Sequence, residues 1–158
     1  MKNKKMTIFG IGEKIATVAL PWAVLMIWGS YHWKLSFTDS FSLPLTITGC
    51  LLIIAGLSVN FTSAIQMIKA FKEKKLLTAG FWGACRNPMY GSFVFFTIPG
   101  LSLALNMWPL LSVSIVIYIM VRVLVREEEV YLAEIFGETY VNYKNNVNLL
   151  FPRINTRK

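Results

Sequence analysis

Charge is what this sequence has least of. Only 15% of its 158 residues are Asp, Glu, Lys or Arg, against about 25% in ordinary globular proteins. With 55% apolar residues, so few charges cannot cover a water-facing surface. The composition therefore points to a bilayer as the solvent for most of the chain. Histidine occurs once and cysteine twice. No spacing among them suits a metal, so no metal site is expected. Cys50 lies inside an apolar run and Cys85 beside a polar stretch, and cytosolic thiols normally stay reduced, so no disulfide is expected either. Acidic residues number 8 against 16 basic ones. The basic residues gather in short segments beside long apolar runs. That is the positive-inside pattern, favoured by anionic membrane lipids, and it argues against nucleic acid as the partner.

What is present is a series of apolar runs. Residues 1–14 form a basic lead-in with Lys2, Lys4 and Lys5, and no convincing small-residue cleavage site follows, so the first run is expected to be retained as a helix. Residues 15–33 carry no charge, which suits one span of roughly 20 residues. Pro21 can kink this helix without ending it. Trp28, Tyr31, His32 and Trp33 gather at its far end as an interfacial belt. His32 is read as part of that belt, with a catalytic base as the alternative. A polar loop at 34–42 holds Lys34 and Asp39. Residues 40–68 are again free of charge, and a second span fits within them. Near its end Asn60, Ser63 and Gln66 recur at offsets of three, and polar groups in a membrane helix face the bundle interior. They either bond another helix or line a ligand pocket, with Gln66 nearest the following loop. Lys69, Lys72, Lys74 and Lys75 then read as a flank for lipid headgroups, with anionic-substrate binding as the alternative.

Residues 87–121 have no charge over 35 positions. A single straight helix of that length would be ~52 Å, too long for a ~30 Å core. The turn signal Asn106-Met107-Trp108-Pro109 divides it into a hairpin with arms at 88–105 and 109–125. Pro88 suits the first turn of the first arm. Residues 126–146 then read as a charged amphipathic helix or helix pair. On it Glu128 shares a face with Leu132, Ile135 and Phe136, Glu129 lies at the edge of that face, and Glu127, Tyr131, Glu134 and Glu138 form a polar face. A carboxylate on an apolar face needs either a cation, such as Arg86, Arg122 or Arg126, or a ligand. Gly137 ends or bends the helix, Tyr140, Tyr143 and Val147 continue an aromatic and apolar stripe, and Pro152 closes the segment.

The expected architecture is an all-α integral membrane protein in one domain, 1–158. It has about four transmembrane helices, the last two a hairpin, plus a cytosolic amphipathic C-terminal helix. Basic residues at the amino terminus, in the 69–86 loop and after Arg122 put both termini on the cytoplasmic side. Arg86-Asn87-Pro88-Met89-Tyr90 and Glu127-Glu128-Glu129 then share one end of the bundle and are expected to form one site.

Thr78-x-Gly80-Phe81, Arg86-Asn87-Pro88-Met89-Tyr90-Gly91, Glu128-Glu129-x-x-Leu132-x-x-x-Phe136-Gly137-x-x-Tyr140-x-x-Tyr143-x-x-x-Val147 and Pro152 stand in this order. Over residues 76–152 the chain resembles the integral membrane methyltransferases. This superfamily comprises isoprenylcysteine carboxyl methyltransferases and phospholipid N-methyltransferases. The first two helices, within 1–75, match only in general character. The resemblance implies S-adenosylmethionine bound on the cytosolic side by the C-terminal half, a lipophilic acceptor and membrane lipids as surroundings. It implies a cofactor pocket shaped by Pro88, Met89 and Tyr90, with Glu128 and Glu129 on the cofactor and the second helix approaching through Ser63 and Gln66. Asn87 stands where many members have histidine, so a histidine role there does not apply. The residue chemistry is compatible. The two glutamates can offset an ammonium or sulfonium, Arg86 can hold a carboxylate, and Tyr90 and Tyr140 can stack on adenine or face the sulfonium. Arg86 and Asn87 are the candidates closest to the reacting groups. No general base stands out, and methyl transfer by direct displacement depends chiefly on alignment. Two other readings compete. One is an NADPH-dependent sterol-type reductase, which would want more basic groups and usually more helices. The other is a small helical membrane protein without catalysis.

Overall fold

A computed structural model describes residues 11–38 and 42–151. The amino-terminal lysines, Asp39 and Pro152 lie outside the described residues. Helix α1 is Gly12–Trp33 and α2 is Leu43–Glu73. A short turn of helix, α3, covers Phe81–Ala84. Helix α4 is Pro88–Ala104, with a π-helical stretch at Phe93–Thr97. A 3-10 turn at Trp108–Leu110 leads into α5, Leu111–Phe136, and α6 is Glu138–Asn146. Every described element is helical. Among the described residues, three helices are long and apolar enough to cross a membrane: α1, α2, and α5 with its preceding turn. The fourth, Pro88–Ala104, is shorter. The expected hairpin between α4 and α5 is present, turning at 105–107.

Helix α2 faces α4 with a row of small residues. Its buried positions are Gly49, Gly56, Ser63 and Ala70, seven residues apart, so two helical turns separate each from the next. Small residues let backbones approach closely in lipid, where association depends on packing. A Cβ on Gly49 would stand 2.5 Å from the Gly100 carbonyl oxygen, and one on Gly56 would stand 2.4 Å from Thr97 Oγ1. Further along, Asn60 Nδ2 donates to Ser92 Oγ at 3.0 Å and to the Met89 carbonyl at 3.3 Å. The two helices therefore run antiparallel, and their register carries Ser63 and Gln66 to the level of residues 80–87.

On the other side of α4, Ile11, just before α1, and Ile15 and Ala19 within it pack with Val113, Ile117, Val121 and Val125 of α5. Both rows are spaced by four, which keeps them on one helical face. At the far end Asn106 adopts a left-handed conformation, φ 57°, which its short polar side chain tolerates. Its Oδ1 accepts the Phe37 and Thr38 N–H groups at 3.1 and 3.2 Å, joining the α1–α2 loop to the hairpin turn.

Two boundaries differ from the sequence expectation. Helix α2 does not stop at residue 68 but runs to Glu73, placing Lys69 and Lys72 on helix rather than in a loop. Helix α5 does not stop at residue 125, so the second hairpin arm and the start of the amphipathic tail form one continuous rod. No glycine or proline interrupts residues 111–136, and side-chain charge alone does not end a helix. The stop comes at Gly137, whose φ of 56° suits glycine.

Candidate functional site at the end of the bundle

The backbone of residues 86 and 87 is clamped by the tail. After α6 the chain doubles back, and the Asn148 and Leu149 carbonyls accept the Arg86 and Asn87 N–H groups at 2.8 and 3.0 Å. A Cβ at Gly91 would come within 3.2 Å of the Leu150 carbonyl oxygen, so the backbones approach closely there. Pro88 begins α4, as its fixed φ and missing N–H favour. Asn87 precedes it, with its side chain buried and its carbonyl accepting the Gly91 N–H at 2.9 Å.

The motif and the acidic run do meet. The Arg86 guanidinium bonds Glu129 Oε1 through a short contact, and Lys144 of α6 holds Glu129 Oε2 at 2.7 Å. Both members of the Arg86–Glu129 pair are nearly sequestered, their side chains 13% and 10% exposed. This corrects the assignment of helical faces. Glu129, not Glu128, is on the buried face, because it is the next step of the row Val113, Ile117, Val121, Val125. That row lies upstream of the acidic run, and it continues because the helix does. The downstream positions taken as the buried face include Ile135, which is 54% exposed. Glu128 sits beside the row, half-buried, with Oε2 enclosed and lacking a hydrogen-bond partner.

Aromatic groups complete the enclosure. Tyr140, 3% exposed, is reached by the Arg86 guanidinium. Burial, and then the Glu129 carboxylate, push its phenol up to about 12, so it stays neutral. The Tyr143 hydroxyl donates to the Trp82 carbonyl at 2.6 Å, tying α6 to α3. Burial pushes the Cys85 thiol up as well, which keeps it protonated. The Gln66 amide lies against Gly80, within 3.2 Å of where a Cβ would be. Tyr90 is half-buried, with its hydroxyl beneath Gly12 of α1 and within electrostatic reach of Glu128. Met89 contributes its carbonyl to the α2 contact.

Among the described residues, seven buried side-chain polar atoms lack a hydrogen-bond partner, and five belong to this cluster: Ser63 Oγ, Gln66 Oε1, Trp82 Nε1, Arg86 Nε and Glu128 Oε2. Buried polar groups are normally paired, so such a concentration calls for a partner. The set offers a carboxylate, an amide oxygen and a hydroxyl beside two N–H donors. Those suit a ligand bearing an ammonium, hydroxyls and a carboxylate, and S-adenosylmethionine has all three. Lys144, Trp82 and the 148–149 backbone were not singled out from the sequence. Lys144 follows Tyr140 by four, a usable signal; a backbone clamp has no side-chain signature.

His32 is elsewhere. Its ring stacks on Trp28, with centroids 5.3 Å apart and planes 6° apart, at the end of α1 near the hairpin turn. Cys50 and Cys85 are both free thiols, one exposed and one buried.

The fold and site define an all-helical integral membrane protein whose polar cluster is built at one end of its bundle. The sequence model of phospholipid methyltransferases matches residues 44–139, from the start of α2 into α6, and the chain belongs to that family. It is 32% identical over 121 residues to the protein-S-isoprenylcysteine O-methyltransferase of Saccharomyces cerevisiae, an alignment covering 69% of this chain and 49% of that protein. It is 27% identical over 126 residues to protein-S-isoprenylcysteine O-methyltransferase B of Arabidopsis thaliana, covering 78% and 62%. The chain thus spans less than two thirds of either relative. No solved structure matches it at a significant level.

Proposed function

We propose that this protein transfers a methyl group from S-adenosylmethionine to a lipophilic acceptor that reaches the site from the bilayer. The observation that carries the reading is the cluster of unpartnered buried polar atoms around the Arg86–Glu129 pair. The family and the names of the relatives support it. When bound, S-adenosylmethionine supplies a methyl group on a sulfonium; the carbon–sulfur pair stays on sulfur while the acceptor's lone pair closes the new bond.

The protein's part is binding and alignment. Glu128 Oε2, with Gln66 Oε1 and Ser63 Oγ, would take the ammonium and hydroxyls. Arg86 Nε and Trp82 Nε1 would take the carboxylate. Glu129 would act through Arg86, since both its oxygens are already held by cations. Tyr90 and Tyr140 would offer aromatic faces to the adenine or the sulfonium, and Pro88, Met89 and Asn87 would set the rim. The relatives' names suggest a carboxylate on a prenylated cysteine as acceptor, whereas the family's name suggests a phospholipid amine. A carboxylate acceptor fits a site without an evident base, because it needs no deprotonation.

Calorimetric titration of detergent-purified protein with S-adenosylmethionine tests the reading. Saturable binding is expected, and well-folded protein that takes up none refutes it. NADPH is expected not to displace the ligand, because Lys144 is held by Glu129 and Arg86 offers one anionic group only its Nε, which leaves no cation of the cluster for an extra phosphate. We infer from the basic flanks that the site faces the cytoplasm. A reporter fused after Lys158 should read out on the cytoplasmic side, and a periplasmic or lumenal signal would reverse this orientation.

A further inference from the structure

Two turns below Glu129 on α5, toward the bilayer, stands an arginine that the site does not use. Arg122 precedes Glu129 by seven residues, so it lies on nearly the same helical face, about 20° away, and about 10 Å along the axis. It is exposed within a helix apolar enough to span a membrane. Among the described residues it has neither an ion pair nor a hydrogen bond. Arg126, one turn on, carries the same charge and cannot neutralise it. An arginine at membrane depth is costly, and where it occurs it marks an ion or substrate path.

Arg122 lines a notch with Tyr118 and with residues 148–151. Its volume is about 140 Å³, room for four or five waters at ~30 Å³ each. That suits a small headgroup, not a whole lipid. Its lining mixes apolar residues, Leu149, Leu150 and Phe151, with polar ones, Arg122, Tyr118 and Asn148. The Phe151 ring packs on Phe95 of α4, with centroids 4.5 Å apart. The same 148–149 segment forms its wall and accepts the Arg86 and Asn87 N–H groups, so the notch abuts the motif.

We propose that Arg122, Tyr118 and the 148–151 segment form a binding site for the anionic head of a bilayer amphiphile, with its chain left in the lipid. The guanidinium supplies the charge-assisted hydrogen bonds, and Leu149 and Phe151 flank the first methylenes. The natural occupant is either a resident anionic phospholipid or a single-chain amphiphile on its way to the Arg86 cluster.

The test is equilibrium binding of radiolabelled hexadecyl phosphate to the full chain in phosphatidylcholine nanodiscs, with hexadecanol as the uncharged control. No methyl donor is present, so this proposal and the methyl-transfer reading fail independently. Wild type should hold the phosphate and not the alcohol. Arg122→Gln should weaken binding about tenfold or more. Arg126→Gln, the same charge loss outside the notch, should change it by less than about threefold. Unchanged melting of both variants excludes unfolding as the cause. Equal affinity of wild type and Arg122→Gln, or equal loss in both variants, overturns the proposal. Displacement by added phosphatidylglycerol assigns the site to a bilayer phospholipid, and persistence of the label assigns it to a single-chain amphiphile.

Discussion

Glu129→Gln is expected to lower stability by about 3–5 kcal/mol, the cost of breaking a buried ion pair. The carboxylate answers two cations, and one of them, Arg86, is largely withdrawn from water, with its side chain 13% exposed. Removing the anion leaves that guanidinium buried and unpaired, beside an Nε that already lacks a partner. The desolvation of the charge is then uncompensated. Lys144 differs, because at 44% exposure solvent screens it, and Lys144→Ala should cost less than about 1 kcal/mol. Thermal unfolding in detergent separates these cases. The double variant Arg86→Met, Glu129→Leu should be markedly less damaged than the sum of its single changes, since it removes both charges together. A Glu129→Gln melting point within the range of an exposed-pair variant would mean that the pair does not hold α5 to the motif.

The importance of Glu129 was only half legible in the sequence, for a physical reason. The acidic run stood out, and so did its need for a cation. Which of its members turns inward depends on whether the apolar row above it continues unbroken. With the helix taken to end near Val125, the face had to be drawn from the residues below, and that drawing favoured Glu128. Signals carried by single residues were sound. Pro88 opens a helix because of its fixed φ, Asn106 turns the chain because it tolerates a left-handed conformation, and Gly137 stops α5 for the same reason. The three long apolar helices were legible from the charge-free runs, whereas the fourth expected span, Pro88–Ala104, is a shorter apolar helix. The extents of α2 and α5 were not, since lysine and glutamate are good helix formers and a charged residue marks a polar environment, not the end of a helix. The pairing of residues 86–87 with 148–149 was also out of reach, because it is made by backbone groups that every residue carries.

Glu128 should respond in the opposite way from its neighbour. Glu128→Gln is expected to weaken S-adenosylmethionine binding about 10- to 100-fold, the value of one hydrogen bond to a charged group, while the melting point of the ligand-free protein stays level or rises. Its Oε2 is enclosed without a partner, next in sequence to a second carboxylate. Such a group opposes folding unless something binds it, so neutralising it relieves the folded state. A residue that costs stability and contributes to binding is the usual mark of a ligand contact. The exposed Glu134 on the same helix provides the control, and Glu134→Ala should alter neither quantity. Titration calorimetry and thermal unfolding on the same preparations resolve the pattern. If Glu128→Gln lost stability together with binding, as Glu129→Gln should, the two carboxylates would form one structural unit and the binding role would pass elsewhere. If it lost neither, the unpartnered oxygen would mark a hydrated niche, and the ammonium would have to be held by Gln66 and Ser63 alone.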